Sequence, residues 1–193
     1  LYQATLLAFG DVAGRGDAGE RPGARARKRL RLHAPFFLRM TVRNRYPRVY
    51  VTNTVTYTAA DSLFGPFPSR AAAERYCEET LNLFELRRCY PDLVPDPAFP
   101  GCVYSEMKKC LAPCFGGCTD ERYAEEADAV RDFLATGGRG LLDRLAAQRD
   151  AASEELDFER AAALHARMQK VESAAALASE AVRPLSELRA VLI

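Results

Sequence analysis

Five of the chain's six cysteines, Cys89, Cys102, Cys110, Cys114 and Cys118, stand in one short stretch. Thiolates gathered this closely can coordinate a metal, exchange electrons or pair as disulfides. The stretch is filled with Pro and Gly, which forbids a regular helix or a paired strand over most of its length. So long a loop stays disordered unless something pins it, and four thiolates closing on a metal centre would do so. Spacing leaves that centre open between an iron–sulfur cluster and a tetrahedral zinc. The sixth cysteine, Cys77, falls on the apolar side of a helix and reads as a core residue.

No signal peptide opens the chain, and no apolar run approaches the length that spans a bilayer. A cytoplasmic protein without membrane contact is therefore expected, and in that reducing compartment metal or redox chemistry is favoured over a disulfide framework. With 193 residues and a hydrophobic content of 48%, the chain can bury a real core. The net charge of +1 predicts no partner, but its distribution is uneven. Arginines crowd the first quarter and acidic residues collect in the second half, so a polyanion-facing part and a partner-facing part are expected.

The elements that must position these residues are of mixed type, and an α+β fold is expected. Residues 1–31 are poor in large apolar side chains and read as a flexible basic linker. Within 32–88, Phe36 to Val42 and Arg48 to Thr58 read as an antiparallel hairpin, with Arg43, Arg45, Tyr46 and Arg48 at or beside its turn. Arginines beside an exposed aromatic suit phosphate contact and base stacking. The stretch Phe64-Gly65-Pro66-Phe67-Pro68-Ser69 reads as a turn, and Ser69 as the cap of a helix from Arg70 to Leu86. Residues 89–118 form the cysteine-rich joint.

Residues 119–178 read as helical, with a cap at Thr119 or Asp120 and a stop at Gly137-Gly138. The last two helices form an antiparallel hairpin whose seam includes Leu141, Leu145, Ala161, Ala162, Leu164, Met168 and Val171, with Phe158 plugging its closed end. Residues 179–193 read as a linker and the start of a further strand, so a fragment of a longer chain is expected.

Three of these motifs, in this order, resemble the UvrC family of bacterial excinuclease subunits. They are the Phe64-to-Ser69 stretch, the array Cys89…Cys102…Cys110-Leu-Ala-Pro-Cys114, and Leu156-Asp157-Phe158-Glu159-Arg160-Ala161-Ala162. The resemblance covers roughly residues 31–171. It implies a [4Fe–4S] cluster on Cys89, Cys102, Cys110 and Cys114, with zinc as the alternative and Cys118 left over. It also implies that the helical hairpin docks on a UvrB-like protein through Phe158, Glu159, Ala161, Ala162, Leu164 and Met168. His165 and Ala166 stand where that motif carries a charged pair, and His165 is given no role.

Around the cysteines, Arg87, Arg88, Lys108 and Lys109 are expected to lower thiolate pKa values, and Gly101, Gly116 and Gly117 to let backbone amides approach sulfur. Arg43, Arg45, Arg48, Arg70, Lys108 and Lys109 are the candidate DNA contacts. The Gly-Ile-Tyr and Tyr-Ile-Gly signatures of the family's nuclease are missing, since the one isoleucine is Ile193. The chain is thus expected to be a non-catalytic central module whose nuclease domains lie outside it. A zinc-stapled protein adaptor is the competing reading. A nuclease built from Glu78, Glu79, Glu85 or Asp120 is a third, but nothing in their spacing singles out a metal pair.

Overall fold

Strands Phe36–Met40 (β1) and Val49–Thr52 (β2) pair antiparallel, with Leu38 opposite Val51 and Met40 opposite Val49, as the alternation predicts. The computed structural model describes residues 34–90 and 93–188. The expected linker over 1–31 and the terminal residues 189–193 lie outside that range. Strand β2 ends at Thr52, six residues short of expectation, because the Thr52 hydroxyl takes the Thr54 N–H at 3.1 Å and turns the backbone away. A 3-10 turn over Tyr57–Ser62 follows.

The largest departure is Leu63–Phe67 (β3), read from sequence as a turn and found as an inner strand. It pairs with β1, Phe36 facing Phe67 and Leu38 facing Phe64, so one β1 residue stands opposite the two residues Gly65 and Pro66. That bulge is where a proline can sit in a sheet without breaking the ladder. Arg183–Pro184 (β4), inside the stretch read as a linker, pairs with the other side of β3. The sheet order is β2-β1-β3-β4.

Strand alternation sends Leu38 and Met40 to one face and Phe37 to the other. Phe37 closes a minor cluster with Ala59 and Leu63, while Leu38 and Met40 join the main core. Helix Arg70–Leu81 (α1) packs on that main face. Ser69 caps it as expected, its hydroxyl accepting the Ala72 N–H at 3.1 Å. The helix stops five residues before Leu86 because the Arg88 guanidinium takes the Leu81 carbonyl at 2.8 Å, which satisfies its last turn. Cys77 is a core residue, and burial pushes its thiol up to about 12.

Asp120–Thr136 (α3) is capped by Thr119 and ends at Gly137, and Arg139–Glu154 (α4) begins at once. Gly137 and Gly138 both take left-handed backbone, and a Cβ on Gly138 would lie 2.9 Å from the Phe133 ring. Phe158–Ala175 (α5), capped by Asp157, returns along α4 to complete the helical hairpin. Tyr76, Phe67, Phe84 and Phe133 pack their rings between α1, the sheet and α3, Tyr76 stacked on Phe133 and Phe84 edge-on to it. Leu141, Leu145, Val171 and Ala174 extend the same core, so the hairpin is rooted in it by the start of α4 and the end of α5. No helix among the described residues is long and apolar enough to cross a membrane.

The turn between β1 and β2 is tied to the start of α3. Asp120 accepts from Arg45 Nε at 2.8 Å and Nη2 at 2.6 Å, and from the Tyr46 hydroxyl at 2.7 Å. Tyr46 and Tyr123 meet edge to face with ring centres 5.3 Å apart. The hydrogen bonds from Arg45 and then Tyr46 hold the Asp120 carboxyl below its ordinary value of 3.8. A carboxyl depressed by folding stabilises the fold above its unfolded pKa and loses that effect as pH falls through its folded pKa. The stability gap between this chain and Asp120→Asn, from urea midpoints, is therefore expected to be constant above about pH 5 and to close below about pH 4.

Candidate functional site

The cysteine-rich segment is fastened to the core at both of its ends. Arg87, 1% exposed, donates from Nε to the Tyr46 carbonyl at 2.8 Å and from Nη1 towards the Cys89 carbonyl at 3.4 Å. Its backbone N–H donates to the Tyr123 hydroxyl at 3.1 Å, and that hydroxyl donates to the Pro47 carbonyl at 2.7 Å. Glu126 accepts the Glu85 N–H at 2.7 Å, and the Glu85 carbonyl accepts the Leu111 N–H at 2.9 Å. Within the segment the Asp96 N–H reaches the Cys114 carbonyl at 2.8 Å. Val103–Glu106 (α2) is one short turn whose cap pairs Cys102 with Ser105, and the rest is irregular, as the Pro and Gly content requires.

Three of the segment's other cysteines, Cys89, Cys102 and Cys114, act on Cys110. The Cys110 thiol is pushed up to about 11, first by burial and then by the neighbouring Cys89, Cys102 and Cys114. Cys114 is raised by burial and by Cys102 and Cys89. Burial and then the Asp120 carboxylate raise the Cys118 thiol, with Cys114 a lesser influence. The expected lowering of thiol pKa by flanking cations is not what Cys110 and Cys114 experience: burial raises both, and no cation is among the influences on them. Arg87 Nη1 lies 3.6 Å from Cys89 Sγ. Arg88 instead closes α1, and Lys109 Nζ sits 3.3 Å from Asn82 Oδ1.

Backbone amides also reach sulfur. The Ala112 N–H donates to Cys110 Sγ at 3.3 Å, and amides at Cys114 and Phe115 favour the Cys114 thiolate. Ala112 holds φ 56 and ψ 51, a left-handed conformation that costs an alanine roughly 1–2 kcal/mol. The loop folds back so tightly that a Cβ on Gly117 would lie 2.9 Å from the Ala112 Cβ and 3.0 Å from the Ala112 and Leu111 carbonyl oxygens. An all-sulfur donor set with amide hydrogen bonds suits a thiolate-bound centre. Among the described residues no three His, Cys, Asp or Glu side chains are grouped closely enough to hold a metal ion as they stand.

The candidate DNA contacts divide into bound and available cations. Arg45 is committed to Asp120 and Arg70 to Glu74 at 2.7 Å. Arg43 and Lys108 are exposed, and among the described residues neither meets a carboxylate. Arg48 lies over the rings of Tyr50 at 4.6 Å and Tyr90 at 4.8 Å. Tyr46, expected as an exposed stacking ring, is buried, held inward by Asp120 and Tyr123. Tyr90 is 77% exposed and is missed by sequence reasoning; its place directly after Cys89 is the signal that could have found it. Asp120, also weighed as part of a nuclease site, is consumed by the Arg45 and Tyr46 contacts.

The helical hairpin departs from expectation at its closed end. Phe158 does not plug it: the ring is 66% exposed, and Leu156 beside it is 71% exposed. Leu156 takes a left-handed backbone and Asp157 caps α5 through the Arg160 N–H, which turns both apolar side chains outward. Glu159 and Ala162 are exposed, while Ala161, Leu164 and Met168 are half-buried along the α4–α5 seam. Ala152 is the buried small residue that lets the two helices approach.

Residues 36–133 match the family described as UvrC/Cho excinuclease, middle domain, and residues 139–174 match the UvrB/uvrC motif. The chain is similar to the UvrABC system protein C of Alcanivorax borkumensis, at 30% identity over 71% of this chain and 22% of that one. It is also similar to the UvrABC system protein C of Desulforudis audaxviator, at 35% identity over 81% of this chain and 25% of that one. The chain thus spans about a quarter or less of the length of these relatives. No solved structure matches. The first match alone takes in half of the sequence, and the chain belongs to the UvrC/Cho excinuclease family, of which it carries the middle domain followed by a UVR motif.

Proposed function

We propose that the chain is the non-catalytic central module of a UvrC-like nucleotide excision repair endonuclease. It joins a DNA-binding face to a face that docks a UvrB-like protein, and it holds a [4Fe–4S] cluster between them. The observation that carries this reading is the UVR hairpin itself, rooted in the core at one end and presenting Leu156 and Phe158 to solvent at the other. Two large apolar side chains at an exposed tip, on a hairpin whose other end is buried, suit a partner that covers them. The name of the matched motif pairs the two proteins' hairpins, which favours a similar hairpin as that partner.

Cys89, Cys102, Cys110 and Cys114 would hold the cluster, which supplies a fixed charge and a one-electron couple when bound. The family resemblance selects this set, and the amide bonds to Cys110 and Cys114 are compatible with thiolates there. Arg87 beside Cys89 offsets negative charge there. Raised thiol pKa values at Cys110 and Cys114 mean that protons must leave before the centre forms. DNA is held by the cations that the fold leaves available, Arg43, Arg48 and Lys108, while Arg45 and Arg70 support the surface.

Anaerobically prepared protein is expected to be brown and to contain iron and inorganic sulfide, with reconstitution more complete at pH 8 than at pH 6.5. Zinc without sulfide would establish the adaptor reading instead. Phe158→Ala is expected to leave stability within about 0.5 kcal/mol, since the ring is exposed, and to weaken association with a UvrB-like protein by at least about 2 kcal/mol. Undiminished association in a pull-down or calorimetric titration would remove the tip from the interface. Duplex DNA is expected to bind without being nicked. Replacing Arg43, Arg48 and Lys108 by Ala should flatten the salt dependence by about one unit of slope for each phosphate left without its cation.

A further inference from the structure

The positive charges of the β1–β2 turn are not equivalent, and the difference carries chemistry. Arg45 is neutralised by Asp120. Arg48 meets no carboxylate among the described residues; its guanidinium lies between two rings, Tyr50 on the strand and Tyr90 just beyond Cys89. Tyr50 is half-buried and anchors the stack, whereas Tyr90 is 77% exposed. Arginine on an aromatic face keeps its in-plane N–H groups for hydrogen bonding, and its charge is not consumed by the ring.

A guanidinium and a tyrosine presented in this way suit a flat, electron-rich ring attached to an anion. That is a nucleotide. In a duplex each base already has both faces covered by its neighbours, so only an unpaired or extruded base can offer a face to Tyr90. An apolar peptide fits less well, because covering Tyr90 with it would desolvate the Arg48 charge without compensation. We propose that Arg48 and Tyr90 form a subsite for one unpaired nucleotide, its base stacked on the exposed Tyr90 ring and a flanking phosphate on the Arg48 guanidinium, with Arg43 adding charge from the same turn. This rests on the DNA-binding reading above and narrows it to single-stranded or opened DNA.

The test compares a labelled oligothymidine with a duplex of equal length, by fluorescence anisotropy across a salt series, using the whole chain. Tyr90→Ala is expected to weaken single-strand binding roughly 5- to 150-fold, the usual range for losing one stacked base, with duplex affinity changed less than about twofold. Tyr90→Phe keeps the ring and should stay within about twofold on both. A 2-aminopurine placed in the single strand should be quenched by the chain and by Tyr90→Phe, but not by Tyr90→Ala. Single-strand affinity unchanged in Tyr90→Ala, or an equal loss on duplex, overturns the subsite while salt-dependent DNA binding stands. If the unaltered chain binds neither nucleic acid, the DNA-binding reading fails and the subsite with it.

Discussion

A buried guanidinium must have partners, since stranding its charge away from water costs several kcal/mol. Arg87 is such a group: its guanidinium donates to the Tyr46 carbonyl in the strand turn and towards the Cys89 carbonyl, while its backbone N–H donates to the Tyr123 hydroxyl on α3. The Tyr123 hydroxyl serves as both acceptor and donor, passing the connection on to Pro47. The side chain and backbone of this one residue therefore set where the hairpin turn, α3 and Cys89 lie relative to one another. The Arg45 and Tyr46 contacts to Asp120 repeat the connection nearer the surface.

With that joint fixed, the cysteine-rich segment has polar ties of its own, at Leu111 to Glu85 and at Asp96 to Cys114. A bound centre would thus complete a segment already folded back on itself. The same joint divides the arginines by role. Those facing α3 or their own helix become structural, and those facing away retain their charge.

Local chemistry was legible in the sequence, and long-range chemistry was not. Ser69, Thr119 and Gly137 were readable as helix boundaries because a cap is satisfied within a few residues of itself. Strand β3 was hidden by Gly65 and Pro66, whose turn character is real in isolation and is accommodated by a bulge that needs β1 to exist. Tyr46 looked like a surface ring until Tyr123 and Asp120, more than seventy residues away, drew it inward. The grouping of Cys89, Cys102, Cys110 and Cys114 could be drawn from a family resemblance but not from spacing, because Cys118 has equally good spacing to Cys114. Phe158 followed the seam's periodicity, and only the left-handed turn at Leu156 shows why it leaves that seam.

The rooting of the helical hairpin at one end has a mechanical meaning. Helix α4 has 16 residues, and at 1.5 Å per residue its exposed tip stands roughly 24 Å from its buried start. Contacts between α4 and α5 stiffen that arm along its length, so it behaves as a boom and not as a tether. A protein gripped at Leu156 and Phe158 would be carried at a fixed stand-off from the cysteine segment, and its arrival or departure would leave the core packing around Val171 and Leu145 undisturbed.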